Sequence, residues 1–87
     1  MLFITLGRFR EKPTRRMLAE MQKLFEKGAK EGKILGFYWT LGRYDGVVIS
    51  ESPDEKTHMK HMLGFSEFVS TETLVAVPAE EAGKLVE

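Results

Sequence analysis

The sequence contains no cysteine, which excludes disulfides, thiolate metal sites and thiol nucleophiles. It also contains no asparagine and a single glutamine, Gln22, set against many Glu and Lys. That usage is typical of hyperthermophile proteomes, in which amides hydrolyse and ion pairs desolvate at lower cost, so a thermophilic origin is expected. Charge of one sign is missing too: thirteen basic and thirteen acidic residues cancel. With no whole-molecule field to hold a polyanion against salt, nucleic acid is not expected as a partner. Long hydrophobic runs are absent as well. The apolar stretch Met1 to Leu6 stops at Gly7 and Arg8, too short for a signal-peptide core or a membrane span, so no membrane association is expected and the cytoplasm is the default location.

What is present describes a packed fold. Hydrophobic residues make up 43% and charged residues 30% of the 87 positions, an ordinary globular balance. A domain this small buries only about 60% of the surface its unfolded chain exposes, so its own core is marginal and association would stabilise it. Leu2 to Phe9 is rich in β-branched and aromatic side chains and reads as a first strand. From Thr14 to Lys30, Met17, Leu18, Met21, Leu24, Phe25 and Ala29 form one helical stripe. Thr14 is placed to cap it, and Gly28 or Gly32 to end it in a left-handed conformation.

Lys33 to Leu41 alternates Leu35, Phe37, Trp39 and Leu41 with Ile34, Gly36, Tyr38 and Thr40, the period of a strand. Gly42 and Arg43 turn the chain into a third strand around Val47 to Ile49, making a hairpin. Ser52-Pro53-Asp54-Glu55 has the form of a capping box. It opens a second helix running to about Gly64, expected to bury Met59, Met62 and Leu63. Val69 to Val77 reads as a fourth strand and Ala79 to Glu87 as a short terminal helix.

The order strand, helix, strand, strand, helix, strand, with no linker or repeat, predicts a single α+β domain over 1–87. It is a ferredoxin-like two-layer sandwich with both helices on one face of a four-stranded antiparallel sheet. Phe3, Thr5 and Phe9 alternate with Leu2, Ile4 and Leu6, and the last strand sets Leu74 and Ala76 against Val and Thr, so neither sheet face is plainly polar. Two helices cover one face only. An open apolar face of several hundred Å² is unusual on a monomer, and a second copy packed sheet to sheet is the simplest cover.

The segment Phe37-Tyr38-Trp39-Thr40-Leu41-Gly42-Arg43-Tyr44-Asp45-Gly46-Val47-Val48-Ile49, with Thr71-Glu72-Thr73-Leu74 further on, resembles the GYD-domain family over nearly the whole chain. The resemblance implies a dimeric α+β barrel, in which two ferredoxin-like sheets pair, and a homodimer or higher homo-oligomer. The Gly-x-Tyr-Asp hairpin also resembles the effector-binding domain of leucine-responsive transcription regulators, although 87 residues leave no room for their DNA-binding helices. His58, Met59, His61 and Met62 depart from the small residues common in the family's second helix.

Several side chains are candidates for a site. Asp45 stands where the hairpin turns: its carboxylate either accepts N–H bonds from the turn amides or serves as general base or ligand anchor at the mouth of the sheet. Tyr38 and Trp39 point to opposite faces. Trp39 is expected in the core, whereas Tyr38, with Thr40 beside it and Tyr44 nearby, is the pocket candidate, because a buried hydroxyl needs a partner. Arg8, Arg10, Lys12, Arg15 and Arg16 gather positive charge near the amino end of the first helix. They would seat an anionic ligand, with Arg8 foremost, or form a solvated rim paired with Glu80, Glu81 and Glu87. His58 and His61 would need a third ligand such as Glu55 or Glu67 to hold a metal, and on the helical wheel they read instead as solvated, so neither metal nor cofactor is expected. RNA recognition shares this strand order, but Val47-Val48-Ile49-Ser50-Glu51 offers no base a stacking surface.

The sequence therefore points to a homo-oligomeric small-molecule-binding or interaction module, its ligand a small anionic or apolar metabolite. The alternative is a small cofactor-independent enzyme, oxygenase- or isomerase-like, with Tyr38 and Asp45 in an apolar cavity. The enzyme requires a pocket between sheet and helices or at the dimer seam with Asp45 pointing in. A filled core with Asp45 bonded to turn amides fits the module.

Overall fold

The computed structural model describes residues 1–86. Its elements follow the expected order: β1 (Leu2–Phe9), α1 (Arg15–Gly28), β2 (Lys33–Trp39), β3 (Gly46–Glu51), α2 (Glu55–Phe65), β4 (Val69–Ala76) and a short α3 (Ala79–Gly83). Glu87, the end of the expected terminal helix, lies outside the described residues. The strands form one sheet in the order β2-β3-β1-β4, every neighbouring pair antiparallel. This is the ferredoxin-like fold.

Directly opposed residues of an antiparallel pair share a face, so the register sorts the sheet. Phe3 opposes Ser50 and Val75, and Thr5 opposes Val48 and Thr73. Phe9 opposes Val69, and Trp39 opposes Gly46. This set faces α1 and α2. Leu2, Ile4 and Leu6 line up with Val47, Ile49, Leu74 and Ala76 on the other face, joined by Tyr38, and no element of the described chain covers them. The molecule measures 50 × 30 × 17 Å, with a radius of gyration of 13.9 Å where about 12 Å is usual for a compact chain of this length. It is a thin two-layer slab with one bare side.

Local chemistry explains the element ends. The Thr14 hydroxyl accepts from the Met17 N–H at 3.1 Å, capping α1. Neither Gly28 nor Gly32 is left-handed, because α1 ends in right-handed turns through Ala29; among the described residues only Gly42 has a positive φ, +108°, at the β2–β3 turn. Gly32 is needed for close approach instead. A Cβ there would lie 2.5 Å from the Glu51 carbonyl oxygen and 3.2 Å from the Ser52 hydroxyl. The cap of α2 is Asp54, whose carboxylate accepts from the Thr57 N–H at 2.8 Å, and not Ser52, which is buried.

Two expectations about buried faces are corrected. A bulge between Ile34 and Gly36 shifts the pairing of β2, so Ile34 shares a face with Phe37 and Trp39 while Leu41 lies beyond the strand, fully exposed. On α2 the buried stripe is His58, His61, Met62 and Phe65, spaced i, i+3, i+4 and i+7. Met59 and Leu63 are exposed instead. Scoring histidine as polar rotates that helix away from its true inward face.

The fully buried apolar set is small: Phe3, Met21, Phe65 and Val69, with Phe9, Leu24, Phe25 and Met62 packed partly buried around the last three. Phe3 is the most buried large side chain, 2% exposed, and its ring stacks on that of His58 with centroids 4.2 Å apart. Phe3→Ala is expected to cost about 3–5 kcal/mol in urea unfolding, a large part of what a domain of this size has.

Candidate functional site

The cleft between sheet and helices starts from ring packing. Phe25 of α1 packs on Phe37 of β2 and on Phe65 of α2, both with centroids 4.7 Å apart, and Phe9 meets Trp39 edge-on at 5.4 Å. Rings this large cannot fill the layer evenly where Gly7 and Gly46 sit side by side on the sheet. They leave a cleft of about 50 Å³, floored by Thr5, Gly7 and Gly46 and walled by these rings and the two methionines Met21 and Met62. Half-exposed Phe37 and Trp39 form its rim, so it opens to solvent at the β2 edge.

Among the described residues Asp45 is the single charged side chain on that cleft. Its placement comes from the hairpin: the Asp45 N–H donates to the Gly7 carbonyl at 2.8 Å, and the Thr40 N–H donates to the Asp45 carbonyl at 2.9 Å. One carboxylate oxygen, Oδ2, accepts the Phe9 N–H at 2.9 Å. The donor is thus the backbone of β1 and not a turn amide. This bond ends the β1–β3 ladder and turns the carboxyl group toward the apolar cleft.

The other candidates lie elsewhere. Tyr38 faces the bare side of the sheet, 57% exposed, folded over Gly36. Trp39, expected in the core, is 58% exposed at the rim of the cleft. The Thr40 hydroxyl donates to the Tyr44 carbonyl at 2.6 Å. The Tyr44 hydroxyl donates to Glu72 at 2.6 Å, which raises the phenol above its ordinary value, while Arg43 lies over its ring. Arg8 is exposed, one residue out of phase with the cleft-facing positions of β1. Of the basic group, Arg10 donates to the Ser66 carbonyl at 2.7 Å and Arg16 pairs with Glu20 at 3.7 Å. Among the described residues no ion pair joins that group to Glu80 or Glu81.

The histidines are not solvated. His58 is 5% exposed; its Nε2 lies 3.0 Å from the Thr5 hydroxyl and 3.3 Å from that of Thr73, and the two hydroxyls are 3.0 Å apart. This three-cornered network locks α2 to β1 and β4. The signal for it was inward-facing Thr5 and Thr73 at mid-strand, hydroxyls that needed a partner from the helix above. Glu31, not Glu55 or Glu67, approaches His61, at 3.9 Å, and its carboxyl is held low chiefly by the hydrogen bond from Lys60 at 3.1 Å. Among the described residues no three His, Asp or Glu side chains gather to hold a metal ion, and no helix is long and apolar enough to cross a membrane.

The family model of the GYD domain matches residues 3–86. This chain belongs to the GYD-domain family. The GYD chain is also similar in structure to a dimeric ferredoxin-like protein of unknown function from Thermobifida fusca YX, at 16% identity and a TM-score of 0.53, covering 86% of this chain and 89% of that one. MupZ from Pseudomonas fluorescens aligns at 19% identity and a TM-score of 0.42, over 97% of this chain and 78% of that one. No curated protein matches.

The buried histidine gives the GYD chain a pH-dependent stability. Burial, and secondarily the charge of His61, lowers the proton affinity of His58 below the ordinary value of 6.5. The unfolded chain therefore takes up this proton at a pH where the folded protein does not. The stabilisation is complete above about pH 6.5 and is lost progressively as pH falls from there toward the lowered folded value. Glu31 and Asp54, both lowered carboxylates, act in a separate and more acidic window. Urea unfolding between pH 7 and 5 is expected to show stability falling with pH, and His58→Phe, which leaves the Thr5–Thr73 bond in place, should flatten that slope.

Proposed function

We propose that this GYD chain is a homodimeric small-molecule-binding module. Two copies pack through the bare apolar sheet faces, and each keeps its own cleft between sheet and helices. The observation that carries the binding reading is an aromatic cleft with one carboxylate, Asp45, on its wall. Pockets of mostly apolar lining with a few placed polar groups are the usual form of ligand sites. The dimeric state of a protein with the same fold supports pairing, as does the row Leu2, Ile4, Leu6, Val47 and Ile49 on the uncovered side.

Of the two ligand chemistries the sequence suggests, this cleft supports the apolar one. Among the described residues its only charge is the negative one of Asp45, and the basic residues Arg8 and Arg16 lie outside it. The matching guest is a small aromatic or aliphatic molecule carrying one O–H or N–H donor for Asp45, with cationic donors favoured. The same carboxylate supports a second reading, a cofactor-independent enzyme in which Asp45 takes a proton from a bound carbon acid or hydroxyl. A single carboxylate can both take and return a proton, so this reading needs no second titratable group; it differs from simple binding in predicting turnover of the guest.

Trp39 is the single tryptophan and sits at the rim, so its fluorescence reports occupancy directly. Benzylamine and benzyl alcohol are expected to shift its emission saturably and benzoate is not, and Asp45→Asn should remove the advantage of benzylamine while leaving the fold intact. Tighter binding of benzoate than of benzylamine would overturn the assignment.

A further inference from the structure

A second chamber, of about 40 Å³, lies behind the aromatic cleft, separated from it by Phe25, Met62 and Phe65. Its walls are different in kind. Ser50 of β3, His58 and His61 of α2 and Ser52 all line it. Two of these groups are unpaired within the protein: the Ser50 hydroxyl and the Nε2 of His61 are buried atoms with no hydrogen-bond partner among the described residues. Ser50 as a residue is only 8% exposed. The nearest carboxylate oxygen to His61, on Glu31, is 3.9 Å away, beyond hydrogen-bonding reach.

Leaving such groups unpaired forfeits their hydration without return, and buried polar atoms in folded proteins are satisfied in the great majority of cases. The chamber that holds them is itself built by glycine. Gly28 passes 3.5 Å from the His61 ring, measured from where its Cβ would stand, and Gly32 lets the α1–β2 loop close on Glu51 and Ser52. A Cβ at Gly32 would stand 2.5 Å from the Glu51 carbonyl oxygen and push the loop off, whereas one at Gly28 would only touch the His61 ring. His58, the third polar group, has already committed its Nε2 to Thr5 and Thr73, so the free valences are those of Ser50 and His61.

We propose that this chamber is a binding site for a small neutral hydroxylic molecule, water in the simplest case, that bridges the Ser50 hydroxyl and His61 Nε2. A water occupies roughly 10–15 Å³ of such a volume, so the chamber has room for a short chain of two or three, or for one hydroxyl-bearing molecule of a few heavy atoms. The guest ties α2 to Ser50, next to last in β3, whose hydroxyl has no hydrogen-bond partner of its own among the described residues. Its chemistry is neutral because the lining carries one residue of each charge, Lys33 and Glu51, so an ion of either sign would meet a like charge. The site is independent of the aromatic cleft and of Asp45, and the reading of either can fail without the other.

The test is a double-mutant cycle in urea unfolding with Ser50→Ala, His61→Phe and the pair, together with a high-resolution crystal structure grown and frozen free of polyols. Each single variant leaves the other group orphaned. The bridge predicts that both singles raise the unfolding constant [U]/[N] several-fold and that the double raises it at least two-fold less than the product of the singles, although no hydrogen bond joins the two side chains. Density within hydrogen-bonding distance of both atoms is expected in the wild type and absent from Ser50→Ala. A round peak identifies water and an elongated one a hydroxylic compound carried through purification. A dry chamber in the wild type, or a cycle whose singles multiply without coupling, would overturn the proposal.

Discussion

The structure depends on one mismatch: a four-stranded sheet with two apolar faces and helices enough to cover one. Period-two alternation sends Phe3, Thr5 and Phe9 under the helices and Leu2, Ile4 and Leu6 to the opposite side, and both sets are too apolar to face water comfortably. The helical layer is thin in consequence. Among the described residues only four apolar side chains are buried, Phe3, Met21, Phe65 and Val69, and a core of that size leaves little margin for a chain of 87 residues. Pairing through the bare face, as proposed, would add buried apolar area at about 25 cal/mol per Å² where the chain itself has none left to add.

The helical side of the sheet shows the complementary strategy. It is not packed with aliphatic side chains throughout but carries three polar devices at different depths. Thr5, Thr73 and His58 form a closed, satisfied network that fixes α2 over β1 and β4. Ser50 and His61 form an open one. Asp45 stands at the other end, half tied to the Phe9 amide and half free toward the aromatic cleft. Satisfied buried networks specify geometry at little cost, whereas open valences in a cavity mark places where a guest completes the structure. On the proposed reading, stability and recognition are divided along one layer.

Much of this was legible in the order of residues, and the misses have physical causes. The strand alternation, the Met17 to Phe25 stripe and the Gly42 turn lead directly to the ferredoxin-like architecture, because period and punctuation are local properties. The second helix did not read correctly because its inward face is half histidine, and the polarity of a side chain says nothing about whether a partner waits beneath it. The bulge near Leu35 put Ile34 in the inward place that simple alternation assigned to its neighbour, a shift set by pairing with β3 and invisible along β2 alone. Asp45 was singled out at its hairpin, yet its partner, the Phe9 amide thirty-six positions away, belongs to the tertiary fold. Tyr38 and Thr40 stand close to Asp45 in sequence and Arg8 belongs to the basic group before the first helix, but the pleat and the turn carry all three out of the cleft.

The central claim is that a second copy covers the bare sheet face, and light scattering over a dilution series tests it most directly, run on the wild type and on Ile49→Glu, whose charge would fall at the middle of that face. The predicted result is a wild-type dimer that persists at micromolar concentration and a folded monomer for Ile49→Glu. A wild type that is a folded monomer under those conditions would contradict the claim.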